Sequence, residues 1–414
     1  MGVRELPMNQ TARIISIYAA DTSGVCSALY EFGGMTVIHD ASGCNSTYTT
    51  HDEPRWYDMD SMMFISGLTE NDAVMGNDEK FISDLVAAAE ELHPEYIAIC
   101  ASPMPAMIGI DMDAIAYEVE CRTGIPSFNV KTNGMQSYIT GAGNAFLTLS
   151  ERFTAKDESS DVPESKIGRK ISVNILGMTP LDFPLGTDLI IRNWIEREGL
   201  TVNACIGMGT SLDEVRRLNI ADVSLVVSSS GRALAESLEK RYGIPFVVGT
   251  PYGENLPKLI IEKLKCVGEA AAAGETYSEI SILDECRLYD NRIAVLGESV
   301  LAASLAAAIS LETGYGTRVL ETVGDGDMSQ LKDDSSVRIV GGTEFFGDIS
   351  CDDEDRLEKE IEKSDIIIGD PLFRPICKGK KFNEIPHDAF SGRCFKKFEK
   401  NMIDTKLGFL KDIG

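Results

Sequence analysis

One unit recurs down this 414-residue chain: a short β-branched run, a turn built of Gly, Ser or Pro, and a helix whose apolar residues fall three and four apart. A strand followed by a helical crossover rejoins its sheet in parallel, so the repeat confines the chain to α/β architectures. Residues 96–100 form such a run. They are halted by Ala101-Ser102-Pro103, and a helix is expected from about Asp111 to Cys121, with Asp111 or Asp113 as its cap. Residues 171–176 stop at Gly177-Met178-Thr179-Pro180 ahead of a helix near 186–198. Residues 223–227 pass through Ser228-Ser229-Ser230-Gly231 into a helix that closes at Tyr242-Gly243-Ile244-Pro245. Gly243 suits the left-handed position after a helix, and Pro245 stops it. The plan restarts at Asn291, where an apolar strand leads into an Ala-rich helix to about Thr313, and residues 337–340 and 366–368 supply further strands.

Two polar stretches, 155–170 and 268–290, interrupt this plan, each with a fresh strand beyond it. They divide the chain into three Rossmann-like domains with parallel sheets flanked by helices, at 1–160, 161–285 and 286–414. The composition is 43% apolar, enough for a core in each. Charge then excludes whole classes of partner. With 39 Lys and Arg against 65 Asp and Glu, the formal charge of −26 has the wrong sign for nucleic acid or an anionic membrane. The longest nearly unbroken apolar stretch, 300–310, is about half of a bilayer span. A cytoplasmic protein is expected.

In α/β sheets, ligands gather at the loops leaving the strand carboxyl ends. Three of the ten cysteines are expected there: Cys26, Cys44 directly after the run at 35–38, and Cys100 at the end of the run at 96–100. No Cys-x-x-Cys pair exists, which removes zinc ribbons and ferredoxin-type runs. A disulfide framework belongs to smaller, loop-rich chains. Three thiolates brought from separate strand ends suit an iron–sulfur cluster, because iron takes soft sulfur ligands and loop N–H groups can bond the sulfides. The competing reading is the small buried hydrophobe that a free cysteine often is. That second reading is expected for Cys121, Cys205, Cys266 and Cys286, while Cys351, Cys377 and Cys394 lie in polar surroundings and form no set.

The segment Val37-Ile38-His39-Asp40-Ala41-Ser42-Gly43-Cys44 resembles the His-Gly-Pro-x-Gly-Cys segment of nitrogenase component 1 proteins. Leu68 to Gly76 is similar to the family's stretch before the helix that precedes its third ligand. Cys100-Ala101-Ser102-Pro103, followed by Ile108-Gly109-Ile110-Asp111, resembles its Cys-x-x-x-x-Ile-Gly-Asp-Asp segment. Ser137-Tyr138-Ile139-Thr140-Gly141 resembles the Gly-Ser-x-x-Thr-Gly of the beta-type chain, and the restart at Arg292 resembles the opening of the family's third domain. The resemblance implies that Cys26, Cys44 and Cys100 hold an electron-relay cluster, either [4Fe–4S] with a fourth ligand from elsewhere or a larger [8Fe–7S] core shared between two chains. It also implies a homodimer, or a heterodimer or heterotetramer with a sister chain, and a separate ATP-hydrolysing iron protein that delivers electrons.

Departures from the family narrow the chemistry. The chain is shorter than nitrogenase catalytic chains, the interval from Cys26 to Cys44 is compressed, and Asp40-Ala41-Ser42 replaces the usual Gly-Pro pair. Where alpha-type chains carry the cysteine for their catalytic cofactor, this sequence reads Val226-Val227-Ser228-Ser229. His387, in the Pro386-His387-Asp388 loop, lacks the flanking residues of the family's cofactor histidine. Dinitrogen reduction by this chain alone is therefore not expected. No Gly-x-x-x-x-Gly-Lys-[Ser/Thr] loop occurs, and Gly141-Ala142-Gly143 and Gly324-Asp325-Gly326 are too short to be dinucleotide fingerprints, so no nucleotide is expected on this chain. His93 before Pro94 is expected to end a helix, His39 either to bond near the cluster or to finish a strand, and the run from His51 to Met63 to pack as ordinary core.

The resulting expectation is a nitrogenase-like component 1 oxidoreductase acting on an unsaturated or tetrapyrrole-type substrate. Two other classes share the same fold and motifs. One is a scaffold for assembling a complex metallocofactor, and the other is a metal- or chelate-binding protein without redox chemistry.

Overall fold

In the computed structural model the three expected strand sets become three sheets, and the structure describes residues 13–41, 53–155, 170–272, 292–323, 338–339, 354–392, 394–395 and 400–412. The first sheet contains β1 (Met35–His39), β2 (Met62–Ile65), β3 (Ile97–Ala101) and β4 (Ser127–Val130) in the order β2-β1-β3-β4, all parallel. Four strands of the second sheet, β5 (Ser172–Met178), β6 (Thr201–Gly207), β7 (Val223–Val226) and β8 (Phe246–Val248), run in the order β8-β7-β5-β6, with β5 parallel to both neighbours. The third contains β9 (Ile293–Glu298), β10 (Thr317–Val323), β11 (Ile366–Gly369) and β12 (Lys381–Glu384) in the order β10-β9-β11-β12, again parallel. Each sheet repeats one winding. Its first strand is central, the second lies to one side, and the third and fourth lie to the other. The crevice between first and third strands is therefore the topological switch point in all three.

These sheets fall into two compact units. Residues 19–247 and 261–278 hold the first two sheets; residues 1–18, 248–260 and 279–414 hold the third. Two segments thus pack away from the sheet nearest in sequence. Residues 13–15 join the third-sheet unit because the buried Glu354 carboxylate accepts hydrogen bonds from the backbone N–H groups of Arg13, Ile14 and Ile15. Thr250 joins it through its N–H to Ser304 Oγ, and Tyr252 bridges Ile403.

Within the first sheet, β1 and β3 are buried at every residue, which is why their sequences are largely apolar, with only Thr36 and His39 of β1 polar. Alternate side chains serve opposite faces. On one face, Met35, Val37, Ile97, Ile99 and Ala101 pack with α3 (Asp78–Leu92) and α5 (Met112–Thr123), through Phe81, Ile82, Leu85 and Ala89 of the first helix and Met112, Ile115, Ala116 and Val119 of the second. On the other face, Ile38 and its register partner Cys100 lie beneath α1 (Asp21–Leu29), which packs on α6 (Tyr138–Phe153). That helix pair is unusually close. A Cβ on Gly24 would stand 2.1 Å from the Tyr138 carbonyl oxygen, and one on Gly141 would stand 1.9 Å from the Asp21 carbonyl oxygen.

Helix ends follow the sequence closely. Asp111 caps α5 by accepting from the Ala114 N–H at 3.0 Å. His93 ends α3 in the left-handed region at φ 50°, and Gly243 ends α9 (Arg232–Tyr242) at φ 68°. The Ala-rich α11 (Ser299–Thr313) is buried on nearly all sides, as small side chains permit. No helix among the described residues is long and apolar enough to cross a membrane.

Candidate functional site

The strand-end edge of the first sheet gathers polar groups at its switch point. His39 closes β1 with its ring stacked on Phe81 at 4.1 Å and its Nδ1 2.7 Å from Ser66 Oγ. Burial pushes its pKa down to about 4, so the imidazole is neutral at pH 7. Asp40 reaches across the crevice, where its carboxylate accepts from Ser102 Oγ just beyond β3. The Asp40 carbonyl accepts from the Leu68 N–H at 2.7 Å, fixing the chain that leaves β2. Asp21, the first residue of α1, ties down the loop after β4 by accepting from the N–H groups of Asn133 and Gly134 at 2.9 and 2.8 Å.

The structure brings two of the three candidate cysteines together, and it does so inside the core. Cys26 is the sixth residue of a nine-residue helix buried along its whole length. Cys100 lies within β3, which continues through Ala101, rather than at the strand end that the sequence suggests. Its side chain faces Cys26 and Asp21 of α1, with the Thr132 hydroxyl in hydrogen-bonding reach. Burial, with the Glu53 carboxylate adding to it, pushes the Cys26 thiol up to about 12. Burial raises Cys100 as well, with Cys26 and Asp21 contributing. Cys44 and His51 lie outside the described residues, as do Cys286 and Cys351. Among the described residues, no three His, Cys, Asp or Glu side chains form a metal-holding group.

An iron–sulfur cluster at a subunit contact requires thiolates presented to a surface that a second chain can reach. Cys26 and Cys100 are 3% and 0% exposed, so this pair does not fit that role as placed. The remaining cysteines divide in a way the sequence reading did not foresee. Cys205 is buried as expected, whereas Cys121 and Cys266 are exposed, and Cys377 is buried despite its polar neighbours.

Four further features escaped the sequence reading. Arg55, from the run expected to be ordinary packing, is a buried clamp. Its Nε donates to Glu53 at 2.6 Å, one terminal nitrogen donates to Glu31 at 2.8 Å and the other to the Ser27 carbonyl at 2.6 Å, and the guanidinium sits 4.5 Å over the Tyr30 ring. Glu31 in turn accepts from the Gly209 N–H beyond β6, joining the first sheet's surroundings to the second. At the second sheet's switch point, Asp182 collects hydroxyls from Tyr138 at 2.6 Å, Ser228 at 2.7 Å and Thr179 at 3.0 Å. Only the serine turn hinted at this hub, because its other members come from distant segments. At the third switch point, the Glu298 carboxylate occupies the N-terminus of α11, accepting from Val300 and Leu301, while Asp370 accepts from the His387 N–H. His387 sits edge-on to Tyr18, with ring centroids 5.6 Å apart.

The fourth feature is apolar. Short helices α2 (Glu70–Met75) and α4 (Pro103–Ile108) follow β2 and β3 at the first sheet's strand-end edge; α2 has no buried residue and α4 only Pro105. They hold Val74, Met75, Met104, Met107 and Ile108 out to solvent, and Met135 does the same after β4.

Residues 22–371 match the family described as nitrogenase component 1 type oxidoreductase. Over 329 residues the chain is 27% identical to the nitrogenase iron-molybdenum cofactor biosynthesis protein NifE of Clostridium pasteurianum, covering 76% of this chain and 68% of that protein. It is 28% identical over 169 residues to one subunit of the light-independent protochlorophyllide reductase of Chlorobium phaeobacteroides strain BS1, covering 40% of this chain and 30% of that protein. The solved structure of nitrogenase Cp1 at pH 6.5 superposes with a TM-score of 0.62 over 92% of this chain and 88% of that one, at 16% identity, a likeness of fold.

Proposed function

Because this chain belongs to the nitrogenase component 1 type oxidoreductase family, we propose that it is a cytoplasmic component 1-type subunit that pairs with a second chain and takes part in ATP-driven reduction of an unsaturated or tetrapyrrole-type substrate. A separate ATP-hydrolysing iron protein supplies the electrons. The observation that carries this reading is the strand-end edge of the first sheet. Two short helices there spend their apolar residues on solvent, although β1 and β3 of their sheet are buried at every residue. Exposed apolar clusters mark protein-docking surfaces, and methionine is enriched in them. Ala41, at the same edge, is the last described residue before the segment that contains Cys44. The second chain is a copy of this one or a sister subunit. No electron route is drawn through Cys26 and Cys100, whose placement does not fit a cluster at that contact.

The test is anaerobic purification of the full chain, its native mass, and ATP-dependent electron uptake from a low-potential iron protein with a tetrapyrrole acceptor. A dimer or larger assembly with substrate-coupled electron flow supports the reading. A single chain with no flow under any partner combination overturns it. A second reading is favoured by the likeness to NifE, named for cofactor biosynthesis: a scaffold that holds a metallocofactor precursor. It is separated by transfer, since a scaffold passes bound metal cluster to an acceptor protein without net substrate reduction.

A further inference from the structure

We infer that Cys26 and Cys100 are packing thiols of the first sheet and ligate no metal, so that any iron–sulfur group on this chain is held without them. The inference stands apart from the proposed function, because a reductase and a scaffold would both have to find their ligands elsewhere.

Strand geometry is the first ground. Ile97, Ile99 and Ala101 pack on the α3 and α5 side, so Cys100 projects to the opposite face, under α1. One residue of register decides this. Had β3 ended at Cys100, the sulfur would stand at the rim; with Ala101 and Ser102 beyond it, the rim belongs to Asp40 and Ser102. The second ground is that α1 cannot turn to bring Cys26 outward. Its backbone meets that of α6 at Gly24 and Gly141, where even a methyl group would collide with a carbonyl oxygen. Hydrogen bonds from Asn133 and Gly134 to Asp21 hold the start of the helix in place. A cluster several ångströms across could reach either sulfur only if this helix pair separated.

The matched motif agrees. In Cys-x-x-x-x-Ile-Gly the sulfur stands five residues before the isoleucine, which for Ile108 is Pro103, the first residue of α4 at the sheet edge. Cys100 stands eight before it. The position from which a ligand would emerge is therefore taken by proline, and the nearby cysteine serves the core.

The test uses the full chain purified without oxygen. Iron and acid-labile sulfide per protomer are measured for the unmodified protein, Cys26→Ala, Cys100→Ala and Cys44→Ala. In parallel, a small thiol reagent is applied to the folded unmodified protein before and after iron removal by a chelator, with peptide mapping of the labelled sites. Iron content is expected to be unchanged in Cys26→Ala and Cys100→Ala. Both thiols are expected to label at least about a hundredfold more slowly in the folded than in the unfolded chain, with or without chelator, because only opening of the core exposes them. A protein purified free of iron, with both thiols protected, supports the inference equally. Loss of half or more of the iron in either variant, or rapid labelling of either thiol once iron is stripped, overturns it.

Discussion

Two short helices of the first sheet differ in almost every respect. α1 has nine residues, all buried, and is locked against α6 at two glycines. α4 has six residues, one buried, and turns Met104, Met107 and Ile108 to solvent. The sequence draws attention to α1, because it carries a cysteine. The structure assigns α1 to the core and leaves α4, which holds no titratable side chain, at the strand-end edge, where α/β sheets bind their ligands. Residue chemistry marks what a position could do, and burial decides whether it can reach anything.

The difference is tested most severely at the helix contact. Gly141→Val drives a branched side chain into the Asp21 carbonyl and should cost on the order of 5 kcal/mol, comparable to the whole stability of many domains. Denaturant unfolding followed by circular dichroism should show the variant largely unfolded in buffer. A variant of near-normal stability would mean that α1 can move, and would reopen the case for Cys26 at a surface.

The next largest effect is expected at Arg55. Arg55→Ala leaves Glu31 and Glu53 without their cation and takes one donor from each of two backbone carbonyls, a loss of about 4 kcal/mol. Arg55→Lys keeps the charge but not the fork of donors and should recover only part of it. Equal stability of the Ala variant and the unmodified protein would break the claim that this clamp joins the first sheet's surroundings to the second.

How much was legible follows from whether an interaction is local. The βα repeat, the Asp111 cap, the His93 end and the Gly243 turn all depend on neighbours within a few residues, and the chain states them openly. β2 was missed because Met62-Met63-Phe64-Ile65 follows a polar run and has only one β-branched residue. The Asp182 hub joins Tyr138, Thr179 and Ser228 across 90 residues of sequence, and no local pattern encodes such a meeting. Cys100 was misplaced by one residue of strand, and in a structure of period two one residue exchanges rim for core. Cys121 and Cys266 occupy the outer stripes of their helices, where apolar neighbours in sequence are not neighbours in space.

A smaller effect, in pH, comes from His39 at the rim between these regions. Its folded pKa is about 4 against 6.5 ordinarily, with burial as the cause. Between those values the unfolded chain binds a proton that the folded chain refuses, so stability is full above pH 6.5 and declines as pH falls toward 4. The decline should be on the order of 3 kcal/mol. His39→Phe keeps a ring against Phe81 and should flatten that part of the stability-against-pH curve. An unchanged slope would show that the imidazole meets solvent.

The smallest effect on folding is expected where the proposed contact lies. Met107 is 82% exposed and touches no core, so Met107→Asp should shift stability by no more than about 0.5 kcal/mol. Its effect on assembly should be far larger. A carboxylate placed within an apolar docking surface must be desolvated without a partner, and the chain already carries a net charge of −26, so a second copy would meet added repulsion. Native mass should fall toward the single chain, and Met75→Asp at the end of α2 should do the same. If both variants fold and assemble as the unmodified chain does, the exposed row on α2 and α4 is not the contact, and α4 differs from α1 in burial without differing in function.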